Sequence, residues 1–584
     1  MQRRNTVKLF KQNNNLAALD GGRRFSLDKA LTITTFVLLI IIVIIPIFMI
    51  IFNTFFVKAT TGRWNLDLSM FKTQLTDTKN LSAMWNTVKI AFFTTIVGTI
   101  AGVFYAWLLG RSDIPAKGLM RALFNIPYMF PPFLGAMAWD MLLNGRGGYF
   151  NKFLMNLLHL ESAPLNINSI WGIVFVEVSY YFPFVFMQVV AALEKMDPTL
   201  EECARIAGAK QRTVIWRITL PLTKPAISAG ALLILTTSLA HFGVPSIIGY
   251  SQGIYTLPTR IYAVIYNAGG SFEGIRQGAA LSVLLVAVVS AALILQNKIL
   301  SSGSYDIIKG KSTRPTLIKL RGAKYPLLVF CVITLLVIVV VPLVMIVLVS
   351  FLKAYGLPLE LENFSLIQYA RVFKGGGTID SIKNSLFASI TAGVVCMLLG
   401  TLVAYVVQKI KPKNKGALEF MSMLPYAIPG TVLSIGVILA WQGSILNINL
   451  YNTIWIIIVA YLARYLSFSM KTSSAALLQV SSSLEEAARA CGASHTESLS
   501  DITLPLIRPA MVSGFFLIFL PAMREVTTSI LLYGPKTRTL GVQIYGLRDA
   551  GMIPQAAALA TVAIGIIIIL NTLVNYIVKD RKGV

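Results

Sequence analysis

Charge is what this sequence has least of. Only 13% of its 584 residues are Asp, Glu, Lys or Arg, against 55% hydrophobic, whereas soluble domains carry about 25% charged residues. So few charges cannot clothe a water-facing surface of this size, so lipid must be the solvent for much of the chain. Acid is scarcer than base: 25 acidic and 51 basic residues leave a net charge of +26. The bases fall in short segments between apolar runs, the pattern of cytoplasmic membrane loops rather than of a nucleic-acid surface. No nucleic-acid partner is expected. Cysteine and histidine are also rare. Cys203, Cys331, Cys396 and Cys491 form no CxxC, and His159, His241 and His495 are scattered. No metal site is firm, redox chemistry has no support, and small apolar packing is the expected role of the cysteines.

What is present is long apolar runs. A span needs about 20 such residues, and the sequence predicts spans near 31–56, 85–109, 122–143, 169–192, 226–248 and 276–299, then 325–352, 385–408, 417–441, 452–475, 510–533 and 555–578. The basic run at Arg3, Arg4, Lys8, Lys11, Arg23, Arg24 and Lys29 precedes an apolar stretch too long for a signal-peptide core, and reads as leading into a retained first span. Twelve spans put both termini on one side. Arg111, Lys117 and Arg121, Lys409 to Lys415, and Lys579 to Lys582 mark that side as cytoplasmic. The expected fold is an all-α polytopic membrane protein. Its segments are a basic N-terminal piece 1–29, a first half 30–299, a basic linker 300–324 and a second half 325–584.

The halves repeat. Leu200-Glu201-Glu202-Cys203-Ala204-Arg205-Ile206-Ala207-Gly208, running on to Ile218-Thr219-Leu220-Pro221, recurs 284 positions later as Leu484-Glu485-Glu486-Ala487-Ala488-Arg489-Ala490-Cys491-Gly492, running to Ile502-Thr503-Leu504-Pro505. The loops, about 194–225 and 478–509, are polar and helix-forming. Asp197-Pro198-Thr199 and Ser482 or Ser483 signal helix starts, acids occupy the first turn, and Gly208 and Gly492 suit a left-handed cap. Leu220-Pro221 is expected to break a second short helix over 210–217 before the next span. Two six-span copies of one topology predict a parallel repeat about a pseudo-two-fold axis along the membrane normal.

Glu202, Ala204, Gly208, Ile218, Leu220 and Pro221, and Glu486, Ala487, Ala488, Gly492, Ile502, Leu504 and Pro505, resemble the EAA loop of ABC-transporter importer permeases. The resemblance implies that each loop, with Glu201 and Glu485 included, is a coupling helix seated on a cytoplasmic ATPase. Two ATPase subunits, an expected homodimer, would carry ATP and Mg, and one extracytoplasmic binding protein would deliver the substrate. Cys203 stands where the family usually has Ala. Two fused six-span halves resemble the ferric-iron permease group, which also includes carriers of phosphonates and sugar phosphates. Ferric iron is the expected cargo, another small anion the alternative; a 12-span ion-coupled secondary transporter is the competing class.

Ionisable groups inside a membrane face a bundle interior or a wet cavity. His241, Arg524 and Glu525 are pathway candidates, with Ser246 and Ser529 beside them; at offset 283, His241 corresponds to Arg524 and should face it. Tyr181, Arg464 and Tyr465 form a second matched set, Glu177 and Asp140 are further buried-acid candidates, and Tyr128 and Tyr426 follow helix-kinking prolines. Catalytic motifs fail. Gly310-Lys311-Ser312 resembles the end of a phosphate loop, but Tyr305 stands where its first Gly belongs. An ATPase must be borrowed, and the chain is expected to be no enzyme and to bind no cofactor itself.

Overall fold

A computed structural model describes residues 28–58, 63–197, 199–301, 317–443 and 448–580. The N-terminal basic run, the Gly310-Lys311-Ser312 segment and most of the 300–324 linker lie outside the described residues. The fold is all-α and polytopic. Among the described residues ten helices are long and apolar enough to cross a membrane: Asp28–Phe55, Thr78–Arg111, Ile170–Lys195, Gln211–Leu239 and Phe272–Leu295, then Arg321–Phe351, Gly376–Ile410, Ile454–Leu477, Leu499–Met523 and Ile553–Leu573. A bent pair, Lys415–Ala427 and Gly430–Trp441, meets at 113° and makes an eleventh. Its first-half counterpart is broken into Lys117–Leu123, Ile126–Met129 and Pro132–Leu143.

The spans expected at 122–143 and 417–441 are thus broken rather than only kinked at Pro127 and Pro425: Pro425 stays inside its helix and the bend falls at Pro429. Pro131 and Pro132, and Pro429 before Gly430, remove backbone donors and hold the preceding residue extended: Phe130 has ψ 147° and Ile428 ψ 132°. The spans expected at 226–248 and 510–533 also end early, at Leu239 and Met523, and the chain turns into short helices at Gly243–Ile248 and Ser529–Leu532.

Each half is built on one three-helix knot. A Cβ on Gly102 would lie 2.7 Å from Val185 Cβ, and one on Gly230 would lie 2.6 Å from Val185 Cα. In the second half Gly400 and Gly514 approach Ser469 in the same way, at 2.7 Å and 3.4 Å. Val185 and Ser469 are 284 positions apart, as are Gly230 and Gly514, but Gly102 and Gly400 are 298 apart. Small residues let three backbones close on one point where lipid offers no hydrophobic drive between helices. The drop in offset is accommodated between these helices, where the first half carries an extra helix, Tyr149–Leu158.

The leading helix of each half crosses to the other half. Asp28–Phe55 packs on Gly430–Trp441, close enough that a Cβ on Gly436 would meet the Pro46 carbonyl at 2.5 Å. Arg321–Phe351 packs on Pro132–Leu143. The halves are therefore interlocked.

Two anchored loops and a cavity between the halves

Both repeated loops lie at one end of the bundle. Each is a short helix, Thr199–Ile206 or Ser482–Ala490, closed by glycine in the left-handed region at φ 85° (Gly208) or 97° (Gly492). Ala209 N–H donates to Ala204 O at 2.9 Å and Ala493 N–H to Ala488 O at 3.0 Å, the bond that ends a helix over such a glycine. Thr199 N–H donates to Asp197 at 2.9 Å, and this backbone bond holds the Asp197 carboxyl below its ordinary pKa. At the second loop the cap is Ser481, not Ser482 or Ser483: its hydroxyl accepts from Ser483 N–H.

Leu220-Pro221 does not break the chain. The helix runs from Gln211 to Leu239 through a wide turn at Ile215–Thr219, and Leu499–Thr503 repeats that turn before Leu504-Pro505. A π-turn shifts the bonding register by one residue, which leaves room for a proline that has no N–H to give.

The two acids of each loop part company. Glu201 is buried, 3.7 Å from Arg111 and 3.5 Å from Arg205, and accepts from Thr219 at 2.7 Å. Glu485 stands 3.1 Å from Lys409 and accepts from Thr503 at 2.8 Å. Burial works to raise the Glu485 pKa, but the Thr503 and Lys409 bonds together outweigh it and hold it below the ordinary glutamate value. Arg111 and Lys409 end the Thr78–Arg111 and Gly376–Ile410 helices, so each loop is tied to the end of one span. Sequence reading marked both bases only as positive loop charges and missed these ties; the only signal was that Thr219 and Thr503 lie at one position of the repeat.

Outward, both loops show the same positions. Cys203, Ile206, Ala207 and Gly208 are exposed in one, Ala487, Ala490, Cys491 and Gly492 in the other, with Glu486 also exposed, Glu202 part-buried, and Ala204 and Ala488 half-buried. Cys331 and Cys396 are buried as expected, but Cys203 and Cys491 are exposed rather than packed. Ile206, 86% exposed, and Trp216, 64% exposed, give the first loop an apolar face that Ala490 and Ser500 do not give the second.

Between the halves lies a cavity of about 440 Å³, lined among others by Tyr128, Tyr181, His241, Tyr426, Arg464, Tyr465, Arg524 and Glu525. Tyr181 and Tyr465 sit near the middle of their helices, so the cavity is deep in the bundle. Six of the eight residues singled out from sequence as pathway candidates meet here. Ser246 and Ser529 do not: both are fully buried, Ser246 donating to Gly243 O and Ser529 to Glu525 O, each at 2.9 Å. A hydroxyl bonded back into its own turn has no hydrogen to offer a cavity.

His241 does not pair with Arg524. The helices end at Leu239 and Met523, so the structural offset is 284 and His241 matches Glu525. Buried Glu177 accepts from Thr94 at 3.2 Å and from Ser238, and lies 3.0 Å from His241 Nδ1. Glu525 accepts from Tyr465 at 2.6 Å and from Thr528 N–H at 2.9 Å, with Arg464 3.8 Å away. Arg524 instead crosses to the first half, donating to Tyr128 O at 2.9 Å and Met129 O at 2.6 Å with its guanidinium over the Tyr128 ring. Asp140 serves elsewhere: it holds Arg548 of the other half at 3.1 Å and accepts from Asn168 at 2.9 Å.

Two equivalent halves closed round a largely apolar cavity that holds a few charged groups, with matched helical loops at one end, are the build of a membrane transport permease. The chain belongs to the family of binding-protein-dependent transport system inner membrane components, which it matches twice, over residues 98–303 and 396–579. It is thus a multi-pass inner-membrane permease of an ABC transporter, with both permease halves fused in one chain. It is 29% identical over 471 residues, 80% of this chain and 72% of the relative, to the putative ferric transport system permease protein FbpB 1 of Haemophilus influenzae. It is 30% identical over 204 residues, 35% of this chain and 76% of the relative, to the putative 2-aminoethylphosphonate transport system permease protein PhnV of Salmonella paratyphi A. A solved bacterial alginate ABC transporter, in complex with an alginate-bound periplasmic protein, aligns with 48% of this chain and 98% of its own at 18% identity and a TM-score of 0.38.

Proposed function

We propose that this chain supplies both transmembrane halves, 30–299 and 325–584, of an ATP-driven importer, and that the two loops transmit ATPase closure to the cavity. The observation that carries the reading is the split between the acids: Glu201 and Glu485 are tied to span ends, while the same helix positions face outward in both copies. A handle must be rigid toward its own bundle and free toward its partner. Two cytoplasmic ATPase subunits, an expected homodimer binding ATP and Mg, would seat on Cys203 to Gly208 and Ala487 to Gly492. One extracytoplasmic binding protein would deliver cargo at the other end. Both termini, and the loops with them, would then be cytoplasmic.

Ferric iron is the proposed cargo, because the relative matched over most of this chain is a putative ferric transport permease. A phosphonate or another small anion is the second reading, favoured by the shorter match to the aminoethylphosphonate permease. The test is to reconstitute the chain with its ATPase subunits and binding protein. Replacing Glu202 and Gly208 together with Glu486 and Gly492 should abolish ATP-driven uptake and ATPase co-purification. Unchanged uptake, or uptake driven by an ion gradient without ATPase, would sink the proposal.

A further inference from the structure

We propose that the cavity holds an anion subsite centred on Arg524, so that cargo passes as an oxyanion or as a metal carried with one, never as a bare cation. This rests on the permease reading and narrows its cargo class.

Among the described residues, local pairing leaves one cation of the cavity without an acid. The basic side chains lining the cavity are Arg464, Arg524 and His241, and Glu525 is the one carboxylate in the lining. Glu525 is committed to Arg464, Tyr465 and Thr528. Glu177 lies behind the lining and is committed to His241, Thr94 and Ser238. Arg524 has no carboxylate within ion-pair distance among the described residues. Its partners are two carbonyls and an aromatic face. Such dipoles orient a guanidinium without neutralising it, and an uncompensated charge inside a bilayer protein is costly. The same contacts fix Nη1, while no bond among the described residues engages Nε or Nη2. A guanidinium held by one nitrogen with the rest of its fork beside a cavity is prepared for bidentate oxyanion binding. A cation would find the opposite. Among the described residues no group of three or more His, Cys, Asp or Glu could hold a metal ion, so a metal without its anion meets an unmatched guanidinium and no such cluster.

The site is one-sided. Ala240 occupies the position of Arg524 in the first half, so a single anion is expected per transporter.

The test uses the chain assembled with its ATPase subunits in lipid nanodiscs, with inorganic phosphate and 2-aminoethylphosphonate as probes against chloride at equal ionic strength. Thermal unfolding should shift upward and saturate with at least one oxyanion. Arg524→Gln should raise the half-saturating concentration ten-fold or more, and Arg524→Lys about three-fold. No saturable shift with either probe, or an equal shift in Arg524→Gln, overturns the subsite. A subsite failure alone leaves ATP-driven uptake by the wild-type importer intact, whereas failure of the permease reading removes it.

Discussion

The two halves tie the same knot but exchange their charges. In the first, the acid is Glu177 on Ile170–Lys195 and the base, His241, follows Leu239; in the second, the base is Arg464 on Ile454–Leu477 and the acid, Glu525, follows Met523. The helix pair stays and the signs swap. What a membrane bundle demands of such a pair is that an acid and a base meet across two helices, since an unpartnered ionisable group is costly there; which helix supplies which is free. The loop anchors teach the same point in milder form, with Arg111 1% exposed where Lys409 is 14% exposed.

The largest expected effect tests the knot. Gly230→Val would drive Cβ into Val185 backbone at 2.6 Å, whereas Gly514→Val first meets the Thr472 hydroxyl at 2.8 Å and Ser469 Cα at 3.4 Å. Gly230→Val should yield no folded chain by size-exclusion profile, while Gly514→Val should fold with reduced thermal stability. Equal outcomes would break the comparison.

Next come the exchanged pairs. Glu525→Gln leaves Arg464 without its carboxylate and should cost about 3 kcal/mol, with at least ten-fold slower ATP-driven uptake. His241→Gln keeps an amide donor for Glu177 and should cost under about 1 kcal/mol. Thermal unfolding of the two variants side by side reads the difference. The anchors follow: Arg111→Met should loosen its loop by about 3 kcal/mol and Lys409→Met by about 1 kcal/mol, measured as amide-exchange protection over 199–209 and 482–493. The smallest effect is in pH. Glu485 is more acidic folded than an ordinary glutamate, so its contribution is fully present above the unfolded carboxyl value and disappears only as pH falls through the lower folded one. Protection of the second loop should therefore be flat from pH 8 to pH 6 and decline only below the ordinary glutamate range.

Much of this was legible beforehand. Long apolar runs marked the ten spanning helices, because lipid allows only helices and closed barrels to cross and a continuous apolar run suits the helix, and the twice-written loop located both short helices and their glycine caps. Less legible were the broken third spans, although Pro131-Pro132 and Pro429-Gly430 were in view, since a proline inside a membrane helix can be absorbed as easily as it can break one. Pro221 and Pro505 were absorbed. The Glu201–Arg111 and Glu485–Lys409 ties were hidden, because the partners are remote in sequence and sit at offsets of 284 and 298, which no single alignment of the halves brings together. His241 was set against Arg524 for a related reason: a repeat offset uncertain by one residue selects a different partner, and only the helix ends at Leu239 and Met523 decide it.

By itself the sequence determined the solvent, the helical class, the duplication and the two loops, since each follows from local hydropathy, helix-stop residues or exact recurrence. The tertiary structure decided which charge meets which. Pairing across helices depends on the rotation and depth at which glycine-pinched backbones pack, and so Glu177 meets His241 and Arg464 meets Glu525, while Arg524 is left facing the cavity with no carboxylate of its own among the described residues.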